Sequence, residues 1–182
     1  MSEYEFRLTL GLPAAESDLD SLVERLGAVG CDDAVIGIGR RGRLALEFTR
    51  EAGGATQALL GAIADVRRAL PDAALLEASP DLVGVTDVAG LLHVSRQNAR
   101  KLLLTSDVPS PPPVHEGRSP MWRLTKVLQW LWEEKGYGVS SELLDLAAAT
   151  MQVNIAVEAR DANPRAQRAI GGILAGTGRV KR

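Results

Sequence analysis

The sequence predicts an α+β chain in three parts: a βαββαβ unit over residues 1–80, a compact helical unit carrying a hairpin over 81–135, and a long helix with a basic tail over 136–182. Three observations carry this reading. Tyr4, Phe6, Leu8 and Leu10 alternate with polar residues, the period of a half-buried strand. Leu59, Leu60, Ile63, Val66 and Leu70 recur at helical spacing and stop at Pro71. After Ser79-Pro80-Asp81, which reads as a short linker, the alternation of strand and helix signals gives way to short helices and a proline-rich stretch.

In the first unit the alternating strand is followed by a helix capped by Ser17. Its apolar face is Leu19, Leu22, Val23 and Leu26, and it ends near Gly30. AVIGIG and LALEF read as two strands around RRGR, then comes the helix of ATQALLGAIADVRRAL, and ALLEA reads as the last strand. This β-α-β-β-α-β order is the split βαβ, or ferredoxin-like, arrangement, with two helices on one face of a four-stranded antiparallel sheet. Gly37-Ile38-Gly39-Arg40-Arg41-Gly42 matches the GxGxxG of dinucleotide sites, but that motif must open into a helix, and RLALEFT is a strand pattern. A hairpin whose glycines supply positive φ accounts for it.

The second unit opens with TDVAGLLHVSRQNARKLL. Thr86 reads as the N-cap of a first helix with Asp87 in its first turn and Val88, Leu91 and Leu92 facing inward. Ala89 is small enough for a second helix to cross closely. Ser95 caps that second helix, whose Ala99, Leu102 and Leu103 lie on one side. At about 100° per residue Gln97 and Lys101 fall opposite the apolar side, flanked by Asn98 and Arg100, with Arg96 in the first turn. Gln and Asn can bond adenine in pairs, Arg can bond guanine, and Lys or Arg can bond phosphate, so these residue types suit a major groove. Beyond them SPPPV cannot be helical and reads as an extended lead-in to a turn at Glu116-Gly117-Arg118, with Met121-Trp122-Arg123 returning, the shape of a wing. Trp122, Trp130 and Leu131 read as core, Lys126 and Lys135 as solvated.

Over residues 81–135 these features resemble the winged helix-turn-helix of the MerR and excisionase-like DNA-binding families. Their pattern of T-x-x-V-A-x-L-L-x-V-S-R-Q, a P-x-P lead-in, a short wing and a W-R-x-x-x-V-x-x-W-L helix is met here by TDVAGLLHVSRQ, PSPPP and WRLTKVLQWL. The resemblance implies that Ser95 to Leu104 is the recognition helix, with Ser95, Arg96, Gln97, Asn98, Arg100 and Lys101 toward DNA. It also places Gly117 and Arg118 at the wing tip, with His115 in the strand before it. One position departs from the pattern: His93 stands where glycine usually makes the turn, so it must take a positive φ. Nothing outside this segment resembles the effector domains of MerR activators, so metal or drug sensing is not carried over.

The third part, SSELLDLAAATMQVNIAVEARDA, predicts one helix with two apolar stripes: Leu144, Ala148, Met151, Ile155 and Ala159, and Leu143, Ala147, Thr150, Val153 and Val157. Little chain remains to cover both, so a partner subunit is expected to cover one. The alternative is that the helix packs back on the first unit. GGILAGTGRVKR, glycine-rich and basic, reads as a loose tail.

Composition limits the function classes. The net charge of −2 hides a split, −5 over residues 1–80 and +3 over 81–182, and from residue 159 on six Lys/Arg face only Asp161. A basic second half is weak support for a polyanionic partner. Cys31 is the only cysteine and His93 and His115 the only histidines, so no disulfide, metal or cofactor is expected. Asp32 and Asp33 are adjacent on an extended segment and point to opposite faces, so no catalytic pair forms and no enzymatic activity is expected. No apolar run suits a membrane span and MSEYEFRL is unlike a signal peptide, so a soluble bacterial cytoplasmic protein without membrane contact is expected. The expected function is a sequence-specific transcriptional regulator, a dimeric repressor on double-stranded DNA. The alternative is an antitoxin or adaptor that holds a protein partner through residues 1–80 and is tethered to DNA by its winged segment.

Overall fold

The computed structural model describes residues 1–14, 18–31, 33–38 and 42–175. The chain is α+β. Strand β1 (Ser2–Gly11) is followed by α1 (Leu19–Gly27), β2 (Ala34–Ile38), β3 (Arg43–Ala52), α2 (Ala55–Ala69) and β4 (Ala74–Ser79). The four strands form one antiparallel sheet in the order β2-β3-β1-β4. Register follows side-chain period: Phe6 faces Phe48, Leu8 faces Leu46 and Leu10 faces Leu44, all buried under the helices. The Phe6 and Phe48 rings stack with centroids 5.3 Å apart. Glu3, Glu5 and Arg7 alternate with these residues and stay exposed, so the second face of the sheet is open.

Most of the helix faces agree with the spacing, with local corrections. In α1, Leu22 and Leu26 are buried but Val23 is half exposed. Asp18 caps α1, its Oδ1 accepting from Asp20 N at 3.2 Å, while Ser17, the expected cap, lies outside the described residues. In α2 the inward face is Ala55, Ala58, Leu59, Ala62, Val66 and Ala69, and Leu60 points to solvent. Small alanines let α2 approach the sheet, which rotates the buried stripe away from Leu60. The GxGxxG segment runs between antiparallel strands, with Ile38 opposite Leu44 and Gly42 at φ 77; Gly39, Arg40 and Arg41 lie outside the described residues.

Arg50 ties β3 to its neighbours. Its Nε and Nη2 donate to the two carboxylate oxygens of Asp33 at 2.7 and 3.0 Å, Nη1 donates to Asp65 at 2.8 Å, and the guanidinium lies 5.1 Å from the Phe48 ring centroid. Asp33 is thus a structural partner; Asp32 lies outside the described residues. Cys31 is buried nearby, and burial, then the charge of Asp65, push its thiol above the ordinary range. Native protein is expected to react with a disulfide reagent at least about tenfold more slowly than protein in denaturant, read as thiolate release over time.

The second core is built by α3 (Val85–Leu91), α4 (Arg96–Thr105) and α5 (Leu124–Glu133) around Val88, Ala99, Leu103, Trp122, Trp130 and Leu131. Two short strands, β5 (Leu82–Val83) and β6 (Trp122–Arg123), pair antiparallel at its base. Trp122 is buried and its Nε1 donates to Pro111 O at 2.9 Å, which pins the proline run. Lys135, expected to be solvated, instead donates to Ser106 Oγ and lies 5.4 Å from the Trp130 ring centroid.

Helix α6 (Ser141–Glu158) packs back on its own chain over much of its length, the alternative to cover by a partner. Leu146 and Ala149 join the sheet core and Ala147 the second core, while Ile155, on the first of the expected stripes, is 44% exposed. Asn154, buried in an otherwise apolar stretch, takes both backbone groups of Ala78, Oδ1 accepting from N and Nδ2 donating to O, each at 2.7 Å. The amide stands in for a neighbouring strand along β4. Asn154 Nδ2 also donates to Asp81 Oδ2 at 2.8 Å, Arg123 donates to the same oxygen, and Thr150 Oγ1 donates to Pro80 O at 2.6 Å. Asp81 is 1% exposed. Ser79-Pro80-Asp81, the expected short linker, is therefore a fixed joint between the two cores.

After a 3-10 turn (Ala159–Asp161) the chain enters α7 (Pro164–Ala175), which corrects the loose-tail reading over residues 171–175; residues 176–182 lie outside the described residues. Asn163 caps α7, its Oδ1 accepting from Arg165 N at 2.9 Å, and Pro164 holds the first helical position.

Candidate nucleic-acid interface

The turn between α3 and α4 sets the direction of α4. Helix α3 begins earlier than expected: its N-cap is Gly84, whose N donates to Asp87 Oδ2 at 2.7 Å, and Thr86 is an exposed residue of the first turn. At its far end Val94 N donates to Ala89 O at 3.0 Å and His93 N to Gly90 O at 3.2 Å, the paired bonds of a Schellman close. His93 takes φ 53, the left-handed value the turn requires.

Ser95 then caps α4, its Oγ accepting from Asn98 N at 3.2 Å. Ala99 and Leu103 are buried, while Arg96, Gln97, Asn98, Arg100 and Lys101 are all exposed. Among the described residues none of Arg96, Arg100 and Lys101 is ion-paired with a carboxylate. Gln97 and Lys101 stand one turn apart opposite the buried side, with Arg100 on one flank and Asn98 on the other. The face therefore offers amide and cationic donors at the start of a helix, where a groove-reading helix makes its base contacts.

Spacing alone left three neighbours of this face unnoticed. Leu104 is 44% exposed and lies a further two turns along from Gln97, where its apolar end could meet a thymine methyl. Its signal was in the sequence: position i+7 from Gln97 places it on the same stripe. Tyr137 and Asp107 share a cleft with Asn98 and Lys101. They come from the loops after α5 and α4, and no local pattern announces that approach.

Residues 114–121, the expected wing, form a narrow hairpin. Val114 N donates to Met121 O at 2.7 Å and Met121 N to His115 O at 3.1 Å. His115, Gly117 and Arg118 are exposed. The imidazole of His115 lies over Gly117, so close that a Cβ there would fall 3.1 Å from Nε2. The structure brings these two together at the tip, yet among the described residues no hydrogen bond or ion pair joins His115, Gly117 or Arg118 to α4. Ser110 Oγ donating to Leu103 O at 2.6 Å links the base of the lead-in to the end of α4 instead.

Among the described residues no cluster of three or more His, Cys, Asp or Glu could hold a metal ion, and no helix is long and apolar enough to cross a membrane. No protein family, curated protein or solved structure matches the chain.

Proposed function

We propose that the chain is a sequence-specific DNA-binding regulator that inserts α4 into a major groove and lays the hairpin tip on the flanking backbone. The observation that carries this is the α4 face: five exposed polar or cationic residues, Arg96, Gln97, Asn98, Arg100 and Lys101, on a helix held by a Schellman turn and a serine cap. The β5–β6 pairing, the hairpin at 114–121 and α5 after it support the winged helix-turn-helix reading. The strand order β2-β3-β1-β4 with α1 and α2 on one face supports the ferredoxin-like reading of the first unit.

Action as a dimeric repressor in a cytoplasm belongs to the same proposal. With much of α6 buried by its own chain, the main support for a dimer comes from α7, which has no buried residue and shows Ile170, Ile173 and Leu174 on one exposed face. A two-fold dimer would place half-sites about one helical turn apart.

Fluorescence anisotropy of a labelled mixed-sequence duplex, titrated with protein between about 50 and 200 mM salt, tests the proposal, because phosphate contacts give a linear fall of log affinity with log salt. Arg118→Ala is expected to weaken all duplexes alike and to lower that slope by about one. Affinity that does not depend on salt would overturn the DNA reading.

One observation favours a second reading, an antitoxin or adaptor. The open face of the sheet carries Glu3, Glu5, Glu47, Glu51 and Glu77 against Arg7 and Arg43, a net acidic surface that disfavours nucleic acid and suits a protein partner with basic groups. Co-purification of a basic protein with wild type, lost on changing Glu5 and Glu47 to lysine, is the result that reading requires.

A further inference from the structure

A cavity of about 320 Å³ opens between the C-terminal half of α2, strands β1 and β4, and the turn after α6. Its size is at the lower end of the range for small-molecule sites. Ile63, Ala73 and Leu75, each partly exposed, form its apolar wall, with the buried Leu8, Leu10 and Val66 packed behind them, and Arg67 and Arg160 are exposed at its mouth.

The two arginines differ from their neighbours. Arg68, beside Arg67, pairs with Asp65 at 2.5 Å, and Arg7, Arg50 and Arg123 also hold carboxylates. Among the described residues neither Arg67 nor Arg160 has such a partner. Asp72 and Asp161 follow Pro71 and Arg160 in the chain, but neither lines the cavity. Arg67 lies in the last turn of α2 and Arg160 just past the end of α6, where helix ends contribute about half a negative charge each. Two guanidiniums contribute a full positive charge each, so the mouth stays positive. A partly exposed apolar wall beside an unmatched cationic mouth fits a short apolar body carrying a carboxylate, which a guanidinium can hold through both oxygens.

We propose that this cavity binds a small organic monocarboxylate with an aliphatic or aromatic body, lying against Ile63 and Leu75 and held by Arg67 and Arg160. The site is independent of the DNA-binding reading, because its test measures occupancy alone. The full chain is titrated with phenylacetate, 4-methylpentanoate and octanoate, and with phenylacetamide as the uncharged counterpart, while methyl resonances of Leu10, Ile63, Val66 and Leu75 are followed. The expected result is saturable shifts at these methyls with at least one carboxylate, weakened about tenfold or more in Arg67→Gln/Arg160→Gln and for the amide. Both positions are exposed, so the variant is expected to unfold at the wild-type midpoint. The proposal is overturned by the absence of saturation with all three acids, by shifts confined to other residues, by equal binding of amide and acid, or by unchanged binding in a double variant of native stability.

Discussion

Asp81→Ala is expected to destabilise the chain by about 3–5 kcal/mol, read as a lower denaturant midpoint. Asp81 is 1% exposed, and its Oδ2 receives both the Arg123 guanidinium and the Asn154 amide. Its removal leaves a partly buried cation and a buried N–H without that acceptor, and an unsatisfied buried donor costs more than an average hydrogen bond contributes. Asp81 Oδ1 has no hydrogen-bond partner among the described residues, so part of the wild-type desolvation cost disappears with it and the effect should fall toward the lower end. The backbone of Asp81 also accepts from Leu124 N, so the change should loosen the base of the second core as well as the joint. A variant within about 1 kcal/mol of wild type would show that the joint is held by apolar packing of α6 alone.

Gln97→Ala/Lys101→Ala is expected to leave folding intact, because both side chains are exposed and opposite Ala99 and Leu103. Its effect should fall on recognition. Loss of the Gln97 amide should cost about 1–3 kcal/mol at the preferred site and little elsewhere, and loss of Lys101 should weaken every site and reduce the salt slope. The signature is a collapse of the ratio between specific and non-specific affinity, measured on paired duplexes at one salt concentration. If that ratio is unchanged, α4 does not read bases.

Much of the architecture was legible because local pattern and tertiary burial agree. Tyr4, Phe6, Leu8 and Leu10 alternate, and all are buried; Ala99 and Leu103 repeat at helical spacing, and both are buried. The positive φ of His93 was legible through the resemblance, which puts His93 at the turn position usually held by glycine, and the turn is made there. The failures occurred where distant chain decides. The two stripes of α6 indicated burial on two sides but not what covers them, and the covering elements lie some seventy residues earlier at Ala78 and Pro80. Asn154 in the middle of those stripes was the available clue, since a buried amide must find partners. The start of α3 differs from the pattern because Thr86 offers a side-chain oxygen for a cap, yet Gly caps about as well and the Asp87 carboxylate accepts from Gly84 N. Helix α7 was hidden by Gly171 and Gly172, although Asn163-Pro164 is a start signal strong enough to carry the helix through them.

For the candidate site, the sequence placed Ser95, Arg96, Gln97, Asn98, Arg100 and Lys101 on the solvent side of α4, where they stand. It did not place Tyr137 or Asp107 beside Lys101, because loops bring them there.

The most direct test of base reading by α4 is selection of bound duplexes from a random pool at physiological salt, run in parallel with wild type and Gln97→Ala/Lys101→Ala. An enriched motif with wild type that disappears in the double variant is the predicted result, and the spacing of its half-sites would report the dimer. Enrichment of the same motif by both proteins, or of none by wild type, would contradict it.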